Sequence, residues 1–76
     1  LIQMEECLFL MLEGINGGKL FIEQTLNDVT GVNCVYGGGE QFFYVLYDPS
    51  LTDQDAVIEA LIRAGLEIRQ FHHIPV

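Results

Sequence analysis

The side chains best suited to chemistry in these 76 residues are two cysteines, Cys7 and Cys34, and an adjacent pair of histidines, His72 and His73. Thiolate and imidazole together suit zinc, and thiolate suits soft ions such as Cu(I). Glu5 and Glu6 stand beside Cys7, so a Cys, His and Glu ligand set is available if the fold brings the two ends of the chain together. Catalysis has less to work with. No two carboxylates have the spacing of a general acid and base, and no Ser or Cys lies in a nucleophile motif. The expectation is a non-enzyme.

A glycine-rich run, Gly14-Ile15-Asn16-Gly17-Gly18-Lys19, precedes a helical pattern. Backbone N–H groups at such a place can hold an anion. A Walker loop, however, is longer and follows its Lys with Ser or Thr, whereas Leu20 follows Lys19. A tight turn is the simpler reading.

The elements that must position these groups follow from periodicity. Glu5 to Glu13 is an apolar strand bounded by acids, and the Gly14 run breaks it. Ile22, Leu26 and Val29 fall at helical spacing within Lys19 to Val29, and Thr30-Gly31 closes that helix. Val32 to Tyr36 is a short strand, Gly37-Gly38-Gly39 a hairpin turn, and Gln41 to Tyr47 a strand rich in aromatic and β-branched residues. Asp48-Pro49 stops it. Thr52 reads as the N-cap of a second helix with Asp55 three residues on; Val57, Ile58, Leu61 and Ile62 form its apolar stripe and Gly65 ends it. Leu66 to about His72 is a final strand. Right-handed crossovers turn this β-α-β-β-α-β order into an antiparallel sheet of strand order 4-1-3-2 with both helices on one face. The expectation is therefore a single α+β domain over residues 1–76, the ferredoxin-like sandwich.

That topology decides which ligands can meet. Strand three lies between Cys7 and Cys34, so they stand about 10 Å apart, too far for a disulfide. Strand four runs antiparallel to strand one and carries His72 and His73 toward Glu5, Glu6 and Cys7. Successive strand residues point to opposite faces, so only one histidine can share a face with Cys7. The plainer reading is a buried free cysteine acting as a small hydrophobe.

The sheet face away from the helices is more informative. Strand one is apolar on both sides, with Leu8, Leu10 and Leu12 opposed to Phe9 and Met11. Strand three opposes Phe43, Val45 and Tyr47 to Phe42, Tyr44 and Leu46. If the Tyr47 set is inward, as the chain's family likeness implies, the open face displays Phe9, Met11, Phe42, Tyr44 and Leu46. Open sheet faces are usually polar, so this patch points to a protein partner or a homodimer. Aromatics on such a sheet also occur in RNA-recognition modules. Eleven acids against three bases give a formal charge of −8, and neither Lys nor Arg stands beside those aromatics, which argues against nucleic acid.

In sequence order, Leu12-Glu13-Gly14-Ile15, Ile22-Glu23, Leu26, Gly31-Val32, Tyr47-Asp48-Pro49-Ser50-Leu51-Thr52, Ile58-Glu59-Ala60-Leu61 and Ala64-Gly65-Leu66 give the chain its family likeness. From about Glu6 to Ile68 it resembles the heavy-metal-associated domain family of copper chaperones and transporter N-terminal domains. The resemblance implies the same βαββαβ fold and a Cys-x-x-Cys loop after strand one that holds Cu(I) or Zn(II). Here Gly14-Ile15 stand where the family has Gly-Met. Asn16, Gly17, Gly18 and Lys19 occupy the ligand loop, which is two residues shorter and holds no cysteine. The motif is degenerate, so no metal and no cofactor is expected from it. Copper or zinc on Cys7 with His72 or His73 is the alternative.

Half the residues are hydrophobic, ample for a core. The longest apolar run, Cys7 to Leu12, is too short to span a bilayer, and no basic stretch leads into a small-residue cleavage site. Two cysteines fit a reducing compartment, so the cytoplasm is expected. These readings converge on a protein-interaction or regulatory module of a metal-transport or metal-homeostasis system.

Overall fold

The computed structural model describes residues 4–13, 18–37, 39 and 41–75. Gly14, Ile15, Asn16, Gly17 and Gly38, which the sequence reading assigned to loops, lie outside them. Six elements follow in the order β1 (Glu6–Leu12), α1 (Gly18–Asn27), β2 (Val32–Gly37), β3 (Phe42–Tyr47), α2 (Gln54–Arg63) and β4 (Ile68–Ile74). The strands form one antiparallel sheet of order β2-β3-β1-β4, and the fold is the ferredoxin-like α+β arrangement expected.

The core forms where the helices meet one face of that sheet. Leu8, Leu10 and Leu12 of β1 and Phe43, Val45 and Tyr47 of β3 point inward and are buried. Ile22 and Leu26 of α1 and Val57 and Leu61 of α2 close over them. Each helix buries a pair of residues four apart, which places both on one stripe. Alternation divides each central strand into two apolar sets, and the set buried is the Tyr47 one that the family likeness implies.

Helix ends differ from the sequence expectation in three instructive ways. The N-cap of α2 is Asp53, not Thr52: Asp53 has extended backbone (φ −145°, ψ 175°), and its carboxylate accepts from Ala56 N–H at 2.8 Å. Thr52 is engaged elsewhere, packed with Leu51 against Gly31, where an added Cβ would come within 2.9 Å of both side chains. Second, α1 stops at Asn27, two residues early, and Val29 joins the core from the turn that follows. Gly31 (φ +98°) serves the entry to β2 rather than the helix cap. Third, Leu66 belongs to the cap of α2 rather than to β4. Gly65 N–H donates to the Ile62 carbonyl and Leu66 N–H to the Leu61 carbonyl, a Schellman motif that buries Leu66 against the core. β4 accordingly begins at Ile68 and runs on to Ile74.

The β3–α2 connection is held by an Asx turn. The Asp48 carboxylate accepts from the Ser50 backbone N–H (2.9 Å) and hydroxyl (2.6 Å), which lowers its pKa.

Phe43 is the largest fully buried side chain. Phe43→Ala is expected to cost about 3–5 kcal/mol in denaturant unfolding, and Asp53→Ala about 0.5–2 kcal/mol through loss of the cap.

Candidate functional site

The face opposite the helices is built from the other parity of the same strands. Cys7, Phe9 and Met11 of β1 lie on it, with Phe42, Tyr44 and Leu46 of β3 beside them. Phe9 pairs with Tyr44 on one side and with His72 on the other, and Tyr44 pairs in turn with Tyr36 of β2. One rung, Tyr36–Tyr44–Phe9–His72, therefore crosses all four strands. Phe9 is its centre. Its ring lies 5.3 Å from Tyr44, 5.8 Å from Phe42 and 6.0 Å from His72, nearly parallel to the last two (26° and 17°). Such offset contacts fix ring orientation and contribute about 0.5–1.5 kcal/mol each beyond area burial.

Of the five residues expected on this face, Phe9, Met11, Phe42 and Leu46 are half-buried and Tyr44 is exposed. The rings thus partly cover one another. Tyr36 is more exposed than Tyr44, and His72 at the other end of the rung is exposed as well. Tyr36 and His72 were missed as members of the face. The bulge at Asn33 breaks the alternation from Val32 to Tyr36, so parity counted along β2 does not place Tyr36 on this face, and the imidazole of His72 suits a ligand as well as a ring.

Polar groups sit at the ends of the face. Asn33, the extra residue where the β2–β3 register shifts, donates from Nδ2 to Glu5 Oε2 at 2.8 Å. The Tyr36 phenol is raised in pKa by its hydrogen bond with the Cys34 side chain and, less, by the Glu5 carboxylate. At the other end Arg69 lies 3.3 Å from Glu13.

The metal-ligand candidates are divided between faces. His72 shares the open face with Cys7, two residues along from the Cys7–Ile74 pair, and stacks on Phe9. His73 pairs with Leu8 on the helix side, where its Nε2 lies 3.4 Å from Glu6 Oε2. Only one histidine shares the cysteine's face, as the alternation requires. Glu6 Oε2 also accepts from the Tyr47 hydroxyl at 2.8 Å, so the Glu6 carboxylate is already engaged twice. Among the described residues no group of three or more His, Cys, Asp or Glu side chains is placed to hold a metal ion. Both cysteines are free. Cys7 is buried, and that burial raises its thiol pKa. Of the glycine-rich loop, Gly18 and Lys19 open α1, and the end of the Lys19 side chain lies over Gly37 at the end of β2. No helix among the described residues is long and apolar enough to cross a membrane.

Protein-family models give no match to this chain, and a search of curated proteins finds no similar sequence. The site is accordingly argued from its own geometry.

Two measurements check this geometry. Burial chiefly, and then donation to the Glu6 carboxylate, push the Tyr47 phenol from 10.0 to about 12. The folded state thus holds this proton more tightly than the unfolded chain. Its contribution to stability is intact below pH 10 and is lost as pH rises toward about 12. A spectrophotometric titration should show one tyrosine ionising only near pH 12, and Glu6→Gln should bring it down. For the thiols, alkylation of the Cys34→Ser variant (reporting Cys7) should be about tenfold slower than that of Cys7→Ser, because only thiolate reacts and Cys7 is both buried and raised.

Proposed function

We propose that this chain is a non-catalytic, degenerate heavy-metal-associated-like domain whose work is protein contact, a binding or regulatory module docking through the open sheet face. One observation carries the reading. Phe9 and the rings around it form an apolar surface on the two central strands, on the side that the helices leave uncovered. Phe9, Met11, Phe42, Tyr44 and Leu46 are the contact residues. Aromatic and Met side chains are the types enriched at interface centres, where rigid rings bury much area at little entropic cost.

Electrostatics selects the partner. The strand residues of this face carry neither Lys nor Arg, the chain bears a formal charge of −8, and the Glu5 carboxylate is tethered at one end by Asn33. A partner with an apolar centre and a basic rim matches that field, and Arg side chains would gain from stacking on the rings. A second copy stacked face to face would instead oppose two acidic chains. The metal-homeostasis setting and a cytoplasmic location rest on the family resemblance and composition rather than on this geometry.

Photo-crosslinking in the native cell tests the reading. Benzoylphenylalanine in place of Tyr44 should give a discrete protein adduct that Phe42→Ser removes, while the same probe at exposed Glu59 of α2 should give none. Equal adducts from both positions, or none from position 44, would overturn the docking role.

A further inference from the structure

A second surface, independent of the open face, lies along β4. β4 ends the strand order, so among the described residues one backbone edge pairs with β1 and the other has no strand partner. Sheet edges are normally blunted by Pro, Lys, inward charges, bulges or short length. The seven residues of β4, Ile68-Arg69-Gln70-Phe71-His72-His73-Ile74, contain no Pro, Lys or acid, and their one register irregularity sits at the start of the strand. The opposite edge, β2, is bulged at Asn33 and has the Glu5 carboxylate drawn against it.

Beside β4 the helix layer is open. A groove of about 760 Å³ runs between α2 and β4, floored by Leu66 and Ile68 and walled by Ile58, Ile62 and Phe71. Ile62 belongs to the apolar stripe of α2 and was expected in the core, yet it is 60% exposed, and Phe71 is 46% exposed. Both side chains line the groove beside the β4 edge.

We propose that β4 pairs antiparallel with β4 of a second copy of this chain, about a two-fold axis normal to the sheet near Phe71. The result is a continuous eight-stranded sheet. The free backbone groups of the edge require an extended partner, and three observations make that partner another copy. Charge is the first: none of the eleven acids lies between Ile68 and Pro75, whereas Arg69, His72 and His73 do; Glu13 and Glu6 stand against Arg69 and His73, and Glu67 lies at the groove, so two chains of charge −8 meet along a strand that itself carries no carboxylate. Self-complementarity is the second. Phe71 is the middle residue of β4, so antiparallel pairing centred there sets it against the partner's Phe71, with both Ile62 side chains alongside; this is the isologous contact a two-fold interface needs. Continuity is the third. A two-fold normal to the sheet keeps both open faces on one side, and pairing centred on Phe71 sets His72, the end of the aromatic rung, beside Gln70 of the partner subunit.

Light scattering on the size-exclusion eluate of the full chain tests this. The wild type should elute at twice the 8.5 kDa chain mass. Phe71→Glu and Ile62→Glu, both at exposed positions, should each elute at the single-chain mass with an unchanged circular-dichroism spectrum. Phe42→Ser with Tyr44→Ser should leave the dimer intact, which separates this interface from the open face. A wild-type chain that remains monomeric overturns the proposal and leaves the edge to some other extended segment. A dimer that survives both Glu variants, or that only the open-face variant dissolves, overturns it as well and moves self-association elsewhere.

Discussion

β1 and β3 lie side by side at the centre of the sheet, and both are apolar on both faces. Two helices of ten residues each can cover only one of those faces. Everything else in the molecule follows from that constraint. Leu8, Leu10 and Leu12 with Phe43, Val45 and Tyr47 take the covered side and are sealed by Ile22, Leu26, Val57 and Leu61. Phe9, Met11, Phe42, Tyr44 and Leu46 are left on the other. The rings there shelter one another around Phe9, which lowers the cost of their exposure without removing it. An apolar face kept at that cost, in a chain otherwise rich in acids, is the physical basis for reading it as a surface made to be covered.

The polar groups of the structure serve this division. Tyr47 is inward and buried, and its hydroxyl reaches Glu6 at the end of the core instead of being stranded within it. His73 approaches the same carboxylate and ties the far end of β4 to β1. Asn33 at the β2 bulge and Glu5 before β1 close one end of the open face, and Arg69 with Glu13 closes the other. No buried side-chain polar atom among the described residues lacks a partner. Among the described residues the acids sit at ends, turns and helix surfaces, and Phe9, Met11, Phe42, Tyr44 and Leu46 carry no charge between them.

Much of this was legible in the sequence, because the fold rests on strong local signals. The four-residue spacing in α1 and α2 fixes which helix residues face inward, and the short hairpin with right-handed crossovers fixes the strand order; alternation in Phe42 to Tyr47 only separates two apolar sets, and the family likeness chose between them. What stayed hidden is where tertiary contacts override local chemistry. Thr52 and Asp53 are both N-cap types, and the structure gives the role to Asp53, whose carboxylate accepts from Ala56 N–H, while Thr52 lies against Gly31. Leu66 reads as strand until the helix cap claims its amide. Ile62 matches the apolar stripe of α2, and nothing local reveals that it is left out of the core. The site was readable as a set of central-strand residues, but its extension to Tyr36 and His72 depends on cross-strand register, which no single segment encodes.

The central claim is that the open face exceeds what folding requires. The direct measurement is amide hydrogen exchange, followed by two-dimensional NMR, on the Phe42→Ser, Tyr44→Ser double variant. The account predicts a dispersed native spectrum with protection retained at Leu8, Leu10 and Val45, since the helix-side core is untouched. Collapse to a poorly dispersed spectrum with protection lost at those amides would contradict it, and would mean that the open face is a second half of the core rather than a docking surface.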